Sequence, residues 1–399
     1  MDPAGSVREA RARDGWRRAR RILAVRLDSL GDVLMTSPAL RALRQRTDGR
    51  SITLLAAGSG AAAAARVPEI DDVIELPCPW MPGEPMPGDD VWEALLQIRA
   101  RRFDAAVIFT AYSQSALPAA LLCWQAGVPL RLAHCRENPY HLLTDWIADP
   151  EPHTLLRHEV RRQLDLVASV GCFTEDERLS FRIDAAEVEA AARKLRAAGV
   201  EPLQPRIVLH PGASAASRRY PVERFGEALR LFVEARAAMQ RHDGYQLVLT
   251  GSAQEADLCE ALRQQLAGVC NPVSLAGALT LGELGAVIAT ASLLISNNTG
   301  PVHIAAALGT PVVDVYALTN PQHAPWQVPH RVLTHDVPCR FCYRSACPQT
   351  HHDCLRLLDP ARVAEAAHAL LAEGADRIAL PIPGRPATPA VPLEPAGEA

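Results

Sequence analysis

The chain has 399 residues, 48% of them hydrophobic, a formal net charge of −4 and a mean hydropathy near zero. That length exceeds one hydrophobic core, so two domains are expected, and the slight acidity argues against a general nucleic-acid binder. The longest nearly uncharged apolar run, residues 284–296, is too short to span a bilayer and no secretory leader is legible, so a cytoplasmic protein with ten reduced cysteines is expected.

The first 21 residues hold Arg8, Arg11, Arg13, Arg17, Arg18, Arg20 and Arg21 against Asp2, Glu9 and Asp14. This basic extension (1–20) reads either as a solvated leader or as a segment resting on an anionic membrane face. Residues 21–27 (RILAVRL) form a strand-length apolar run that breaks at Asp28-Ser29-Leu30-Gly31-Asp32 and enters a helical pattern. Strand Ser51–Ala56 leads into an alanine-rich helix, and strand 73–76 into a Pro/Gly-rich loop. Helix 91–101, strand 105–109, helix 115–125 and a helix within 154–169 complete the first half.

Residues 171–183 are polar and irregular, and Asp184 then caps the helical AAEVEAAARKLRAAG, closed by Gly199. A second alternating series follows, with strands at Arg206–His210, 246–250, 273–275, 293–296 and 311–316 and a closing helix at 361–372. Strand and helix alternate throughout, which makes the chain α/β with parallel sheets. The expected division is a first domain at 21–175, a second at 176–380 and a proline-rich tail at 381–399.

Three loops of the second half lie just past strand ends, where open α/β sheets bind ligands. They are His210-Pro211-Gly212 continuing to Arg218-Arg219, Thr250-Gly251-Ser252 continuing to Glu255, and Asn298-Thr299-Gly300-Pro301. The last opens a small-residue helix whose free N–H groups suit a phosphate, although Asn298 or Thr299 is equally fit to be a plain N-cap. Together the three loops point to a nucleotide-diphosphate site. No P-loop sequence occurs, and Gly58-Ser59-Gly60 lacks the acidic residue a dinucleotide site needs downstream, which leaves a plain helix start as its better reading. Asp32 reads as a helix cap or as a general base on the first strand-to-helix turn, with Asp28 and Ser29 as secondary candidates.

Four cysteines crowd within sixteen residues, Cys339, Cys342, Cys347 and Cys354, with His351 and His352 among them. In a reduced compartment this density reads as four thiolates on one structural zinc or iron, or as free thiols. The other six cysteines are scattered and read as small core residues.

Four segments, RILAVRLDSLGDVLMTSPAL, HPGASAASRRYPVERF, LTGSAQE and SNNTGPVHIAAALGTPVV, together resemble the ADP-heptose:lipopolysaccharide heptosyltransferases, glycosyltransferase family 9. The resemblance implies a GT-B fold of two Rossmann-like domains, with the acceptor held by the first and the nucleotide sugar by the second. It also implies inversion at the anomeric carbon without a catalytic metal, with which the lack of a D-x-D triplet agrees. By match to the family's motifs, Asp32 would be the catalytic base in a turn with Ser29 and Gly31. Arg218 would bind phosphate, allowing a one-residue loop insertion, Glu255 the ribose, and Leu279 would pack on the adenine. Thr299, Gly300 and His303 would hold the diphosphate. Many members carry aspartate where this chain has Asn298, close to the sugar.

The expected activity is transfer of heptose from ADP-heptose to a glycan or lipid-linked acceptor, with peripheral contact at the inner membrane face, no nucleic-acid partner and no catalytic cofactor. Alternatives are another nucleotide-sugar GT-B enzyme, such as an epimerase, and a nicotinamide oxidoreductase resting on Gly58.

Overall fold

The computed structural model describes residues 14–80, 88–202, 204–239 and 244–374. Most of the basic extension, part of the Pro/Gly-rich loop and the proline-rich tail lie outside them. Of the N-terminal arginines within them, Arg17 and Arg18 pair with Asp14.

Strands β1 (Arg21–Val25), β2 (Ser51–Ala56), β3 (Asp72–Glu75), β4 (Ala105–Ile108), β5 (Leu130–Cys135) and β6 (Asp145–Ala148) form one sheet in the order 3-2-1-4-5-6. Strands β7 (Arg206–His210), β8 (Gln246–Leu249), β9 (Val273–Ser274), β10 (Leu293–Asn297), β11 (Val312–Val315) and β12 (His330–Leu333) repeat that order, read as 12-11-10-7-8-9. The pairing is parallel in both, as Leu23 beside Thr53 and Ala106, and Ile295 beside Leu209 and Val313, illustrate. Each central strand therefore marks a switch point, β1/β4 in one sheet and β7/β10 in the other, and ligands of such sheets sit beyond the strand ends there.

Strands with helices on both faces read as continuous apolar runs, and β4 (AAVI) and the start of β10 (LLI) are fully buried accordingly. The helix Leu30–Gln45 carries Pro38 within its length, and its buried face includes Val33, Leu34, Met35, Leu40 and Leu43. One core cluster runs from this helix and β2 across to Ala286, Val287, Ile304 and Ala305 of the second half, so the two sheets share apolar packing at the base of the cleft. The helix Gly300–Leu308 lies against Leu30–Gln45 at close range. A Cβ on Gly31 would stand 2.5 Å from the His303 ring, and one on Gly300 would stand 3.0 Å from Leu30. Two glycines thus permit the closest approach of the halves.

A strap of the second half, Asn320 to Trp326, reinforces this contact. Glu159 N–H donates to the Gln322 carbonyl at 3.0 Å, Gln322 Nε2 donates to Glu151 at 3.1 Å, and Trp326 Nε1 donates to the Glu177 carbonyl at 2.8 Å. The His158 ring lies 4.5 Å from Trp326.

Candidate active site

The first half contributes a buried ion cluster at the end of β1. Arg26 is wholly buried and faces three carboxylates: Nε meets Asp28 at 2.8 Å, Nη2 meets Asp32 at 3.0 Å, and Nη1 meets Glu159 at 2.7 Å. A guanidinium can serve three acceptors in fixed directions, which an ammonium cannot. Burial alone would loosen its proton, but Asp28, Glu159 and Asp32 more than reverse this and hold it as a permanent cation.

Asp32 lies in the first turn of helix Leu30–Gln45, three residues past the N-cap Ser29, so Ser29 rather than Asp32 occupies the cap position. Its Oδ2 accepts from Ser29 N–H at 3.1 Å and from Ser29 Oγ at 2.7 Å. Burial would raise the Asp32 carboxyl, yet Arg26 and the Ser29 hydroxyl outweigh it and hold the group well below the usual carboxylate range. Asp28 behaves in the opposite way. Burial pushes it up to about 6 against the pull of Arg26, and Gln114 Nε2 donates to its Oδ1. The neighbouring acids are therefore split, with Asp32 ionised at neutral pH and Asp28 able to take up a proton near pH 6.

The second half brings His323 on the strap to this cluster. Its Nε2 stands 3.8 Å from Asp32 Oδ1 and 3.9 Å from Glu159 Oε2, a buried oxygen with no hydrogen-bond partner among the described residues. Burial lowers the His323 pKa, so the approach is that of a neutral imidazole and not an ion pair at neutral pH. His303, also buried and pushed down to about 3 by that burial, lies against Gly31.

Across the cleft, the helix Gly300–Leu308 begins at Thr299, whose side chain makes no capping bond. Pro301 has no N–H and Val302 N–H donates to the Thr299 carbonyl at 3.0 Å, so it is the Gly300 N–H that faces a ligand, together with the positive end of the helix dipole. Asn297 fixes the neighbouring loop, since its Oδ1 accepts from Tyr220 N–H at 2.9 Å and its Nδ2 donates to the Pro211 carbonyl at 2.6 Å. Arg218, on a short 3₁₀ turn, has no side-chain hydrogen bond or ion pair among the described residues, and its charge acts on His303, His323 and Tyr316. An uncommitted guanidinium beside an uncapped helix start is a phosphate site in its chemistry.

Next to it a cavity of about 580 Å³ is lined by His210, Ser214, Arg219, Ser252, Glu255 and Thr299, among others. Glu255 Oε2 is occupied by Ser252 N–H at 2.8 Å and Ser252 Oγ at 2.9 Å, while Oε1 lies where a side chain on Gly212 would collide with it. Leu279 is half-buried, packs on the shared core and does not line this cavity. The structure therefore gathers Asp32, Ser29, Gly31 and His303 at one wall, and Arg218, Glu255, Thr299 and Gly300 at the other, with Asn298 between them. Arg26, Glu159 and His323 are additions that motif reading does not supply, whereas Arg219, in the first of the three loops, lines the cavity. An arginine inside the apolar run of β1, which burial would forbid without partners, is the one signal the sequence carried.

The four-cysteine loop borders this site. Ser217, beside Arg218, donates its N–H to the Ser345 carbonyl at 3.1 Å and its hydroxyl to the Arg344 carbonyl at 2.7 Å. Tyr343 meets Tyr112 of the first half edge-on at 5.1 Å. Cys339, Cys342, Cys347 and Cys354 are half-buried free thiols, and Cys339 Sγ lies 3.7 Å from His351 Nε2. Among the described residues no three such groups are placed as ligands of one metal ion, so the donors as placed do not form a closed metal site. No described helix is long and apolar enough to cross a membrane.

Two Rossmann-like parallel sheets, with the buried carboxylate Asp32 after one and the helix start Thr299–Gly300 after the other, have the architecture of a GT-B glycosyltransferase. Comparison with known proteins narrows this. The family described as Glycosyltransferase family 9 (heptosyltransferase) matches residues 91–352, and the chain belongs to that family. Lipopolysaccharide heptosyltransferase 2 of Escherichia coli K12 is 25% identical over 366 residues, covering 88% of this chain and 98% of that protein. The glycosyl transferase family 9 protein of Veillonella parvula superposes with a TM-score of 0.69 at 21% identity, covering 89% of this chain and 97% of that one. The ADP-heptose LPS heptosyltransferase II of E. coli gives 0.66 at 22% identity, covering 89% and 99%.

Proposed function

We propose that the chain is an inverting, metal-independent glycosyltransferase that moves heptose from ADP-heptose to a hydroxyl of a lipopolysaccharide or other lipid-linked glycan acceptor. The observation that carries this reading is the opposition of Asp32, ionised at neutral pH, to a helix start whose Thr299 side chain makes no capping bond and to Arg218, which has no side-chain partner among the described residues. In it the donor diphosphate lies at the Thr299–Gly300 amides and Arg218, with Glu255 on the ribose and the adenosine in the adjoining cavity. The acceptor hydroxyl attacks the anomeric carbon from the Asp32 side. A carbon–oxygen bond forms, the bond to the β-phosphate breaks, ADP leaves with the electron pair, and the proton passes to Asp32. Arg218 and the amides stabilise the charge growing on the diphosphate. Before the attack Arg26 keeps Asp32 deprotonated, and neutral His323 faces the cluster from the strap.

The test is a panel of ADP- and UDP-sugars, assayed for nucleotide release with and without acceptor. Release from ADP-heptose that depends on acceptor supports the reading. Turnover of a donor without acceptor would point instead to an epimerase, and exclusive use of UDP-sugars would remove the adenosine assignment.

For the cysteine loop we propose a structural zinc or iron held by Cys339, Cys342, Cys347 and Cys354, whose thiols are near enough for the other three to act on Cys354. Stoichiometric metal in elemental analysis of the purified protein supports this, and metal-free protein of full stability removes it. We further place the enzyme at the cytoplasmic face of the membrane, where a lipid-linked acceptor would be met. Co-sedimentation with anionic vesicles tests that placement.

A further inference from the structure

One buried acid, Asp314, has no part in the mechanism above. It stands in the middle of β11 among Val312, Val313 and Val315, fully buried. Burial pushes its carboxyl up to about 8, with the Asn298 amide pulling the other way. Its Oδ2 accepts from Asn298 Nδ2 at 2.9 Å, and its Oδ1 has no partner among the described residues. A carboxyl in the centre of a sheet without a cation is costly to keep. Its single bond identifies what it acts upon.

Asn298 Nδ2 also donates to the His323 carbonyl at 2.9 Å. Both amide hydrogens are therefore committed, and a backbone carbonyl accepts whatever the protonation state of Asp314. The Asn298 backbone is pinned as well, its N–H donating to the Val315 carbonyl at 3.1 Å. The Asn298 Oδ1 accepts from no described protein group, yet it is not among the sealed, unpartnered atoms. It is the open face of the side chain. Its place is between Thr299, which lines the nucleotide cavity, and the His323 ring that reaches Asp32. A sugar carried on the diphosphate and attacked from Asp32 must occupy that interval.

We infer that Asp314 is a positioning residue that locks the Asn298 amide with its oxygen toward the cleft, so that position 298 offers a neutral acceptor to a hydroxyl of the transferred sugar. This rests on the reading of the cleft as a nucleotide-sugar site. Asn298 and Asp314 form a matched pair. The amide needs the acid to hold its orientation, and a carboxylate at 298 would have no N–H for the His323 carbonyl that the amide now serves.

Calorimetric affinities for ADP and for ADP-heptose, compared on the full-length protein, isolate the contribution of the sugar. Asp314→Ala frees the amide to turn and should reduce that contribution by roughly 3- to 10-fold, the size of one hydrogen bond, with ADP affinity held. Asn298→Asp should reduce it by at least as much. Asp314→Asn keeps an acceptor oxygen for the Asn298 amide and should stay within about threefold of wild type, because the Asn298 donor and its bond to the His323 carbonyl are untouched. Retention in Asp314→Asn beside loss in Asp314→Ala is a readout that general destabilisation does not produce, and Asn298→Asp keeps the test open if Asp314→Ala fails to fold. Asp314→Ala or Asn298→Asp keeping the wild-type sugar contribution, Asp314→Asn losing as much as Asp314→Ala, or wild type binding ADP-heptose no more tightly than ADP would each overturn the inference. Wild type that binds no ADP at all defeats instead the nucleotide-sugar reading beneath it.

Discussion

Replacing Arg26 with glutamine removes the cation that faces Asp28, Asp32 and Glu159 at 2.7–3.0 Å while keeping most of the side-chain volume. Breaking a buried pair by removing one partner costs about 3–5 kcal/mol, because the remaining charge is left uncompensated. Here the low end applies. Asp28 is already lifted to about 6 and can take up a proton, so the uncompensated charge falls mainly on Asp32 and Glu159. A loss of about 3 kcal/mol corresponds to a fall in Tm of roughly 6–12 °C for a domain of this size. A second consequence concerns chemistry. Arg26 holds Asp32 below the usual carboxylate range, so its loss raises that pKa and moves the acidic limb of kcat/KM upward into the range where the enzyme can be assayed. Differential scanning fluorimetry with a pH–rate profile reads both effects. Arg26→Lys should fall between the two, since one ammonium cannot meet three carboxylates along separate directions. An Arg26→Gln protein that melts within about 1 °C of wild type, with an unmoved acidic limb, would refute the reasoning, since even the low-end cost corresponds to several degrees.

Arg218→Ala should weaken ADP binding by about 10-fold or more, the worth of a charge-assisted phosphate contact; equal ADP affinity by calorimetry would exclude the phosphate role. Gly31→Ala places a Cβ 2.5 Å from the His303 ring, so the halves must part slightly; overpacking of this kind costs about 1–3 kcal/mol and should appear as lower Tm and lower kcat together. Asp314 is raised from 3.8 to about 8 in the folded chain. The folded state therefore holds a proton that the unfolded state has released between those values, and stability falls as pH rises through that window. Asp314→Asn should flatten the decline, leaving the variant more stable than wild type near pH 8; parallel melting curves across pH would contradict the burial of an unpaired acid.

Much of the scaffold was legible because strand, turn and helix alternate with clear periods, and Arg206–His210 and Ser51–Ala56 occupy the residues their sequence indicates. The strands that escaped reading are β5, β6 and β12. In β5 (LRLAHC), Arg131 and His134 interrupt the apolar run, yet both are buried, with Arg131 satisfied by the carbonyls of Val128, His141 and Leu142. The others are four-residue edge strands, half-exposed and without a fully apolar pattern. At the site, Asp32, Arg218, Glu255 and the Thr299–Gly300 turn were visible as local motifs, since each sits on one loop after one strand. Glu159 was not, because its meaning comes from Arg26, 133 residues earlier in the chain. His323 likewise acquires a role only when the strap crosses to the first half. Asn298 stood out in the sequence as a departure from the family pattern, but its partner Asp314 looked like one more strand residue until the fold placed it 2.9 Å away.

The central claim is tested most directly by ADP release from ADP-heptose with a lipid-linked glycan acceptor, measured for wild type and Asp32→Asn in parallel with ADP affinity. The variant keeps the shape at position 32 but cannot take the proton, and its amide nitrogen can no longer accept from whichever of Arg26 or Ser29 it faces. Turnover reduced by about 10²- to 10⁴-fold, the worth of a positioned general base, with ADP affinity unchanged is the expected result. Asp32→Asn turning over at the wild-type rate would contradict the account.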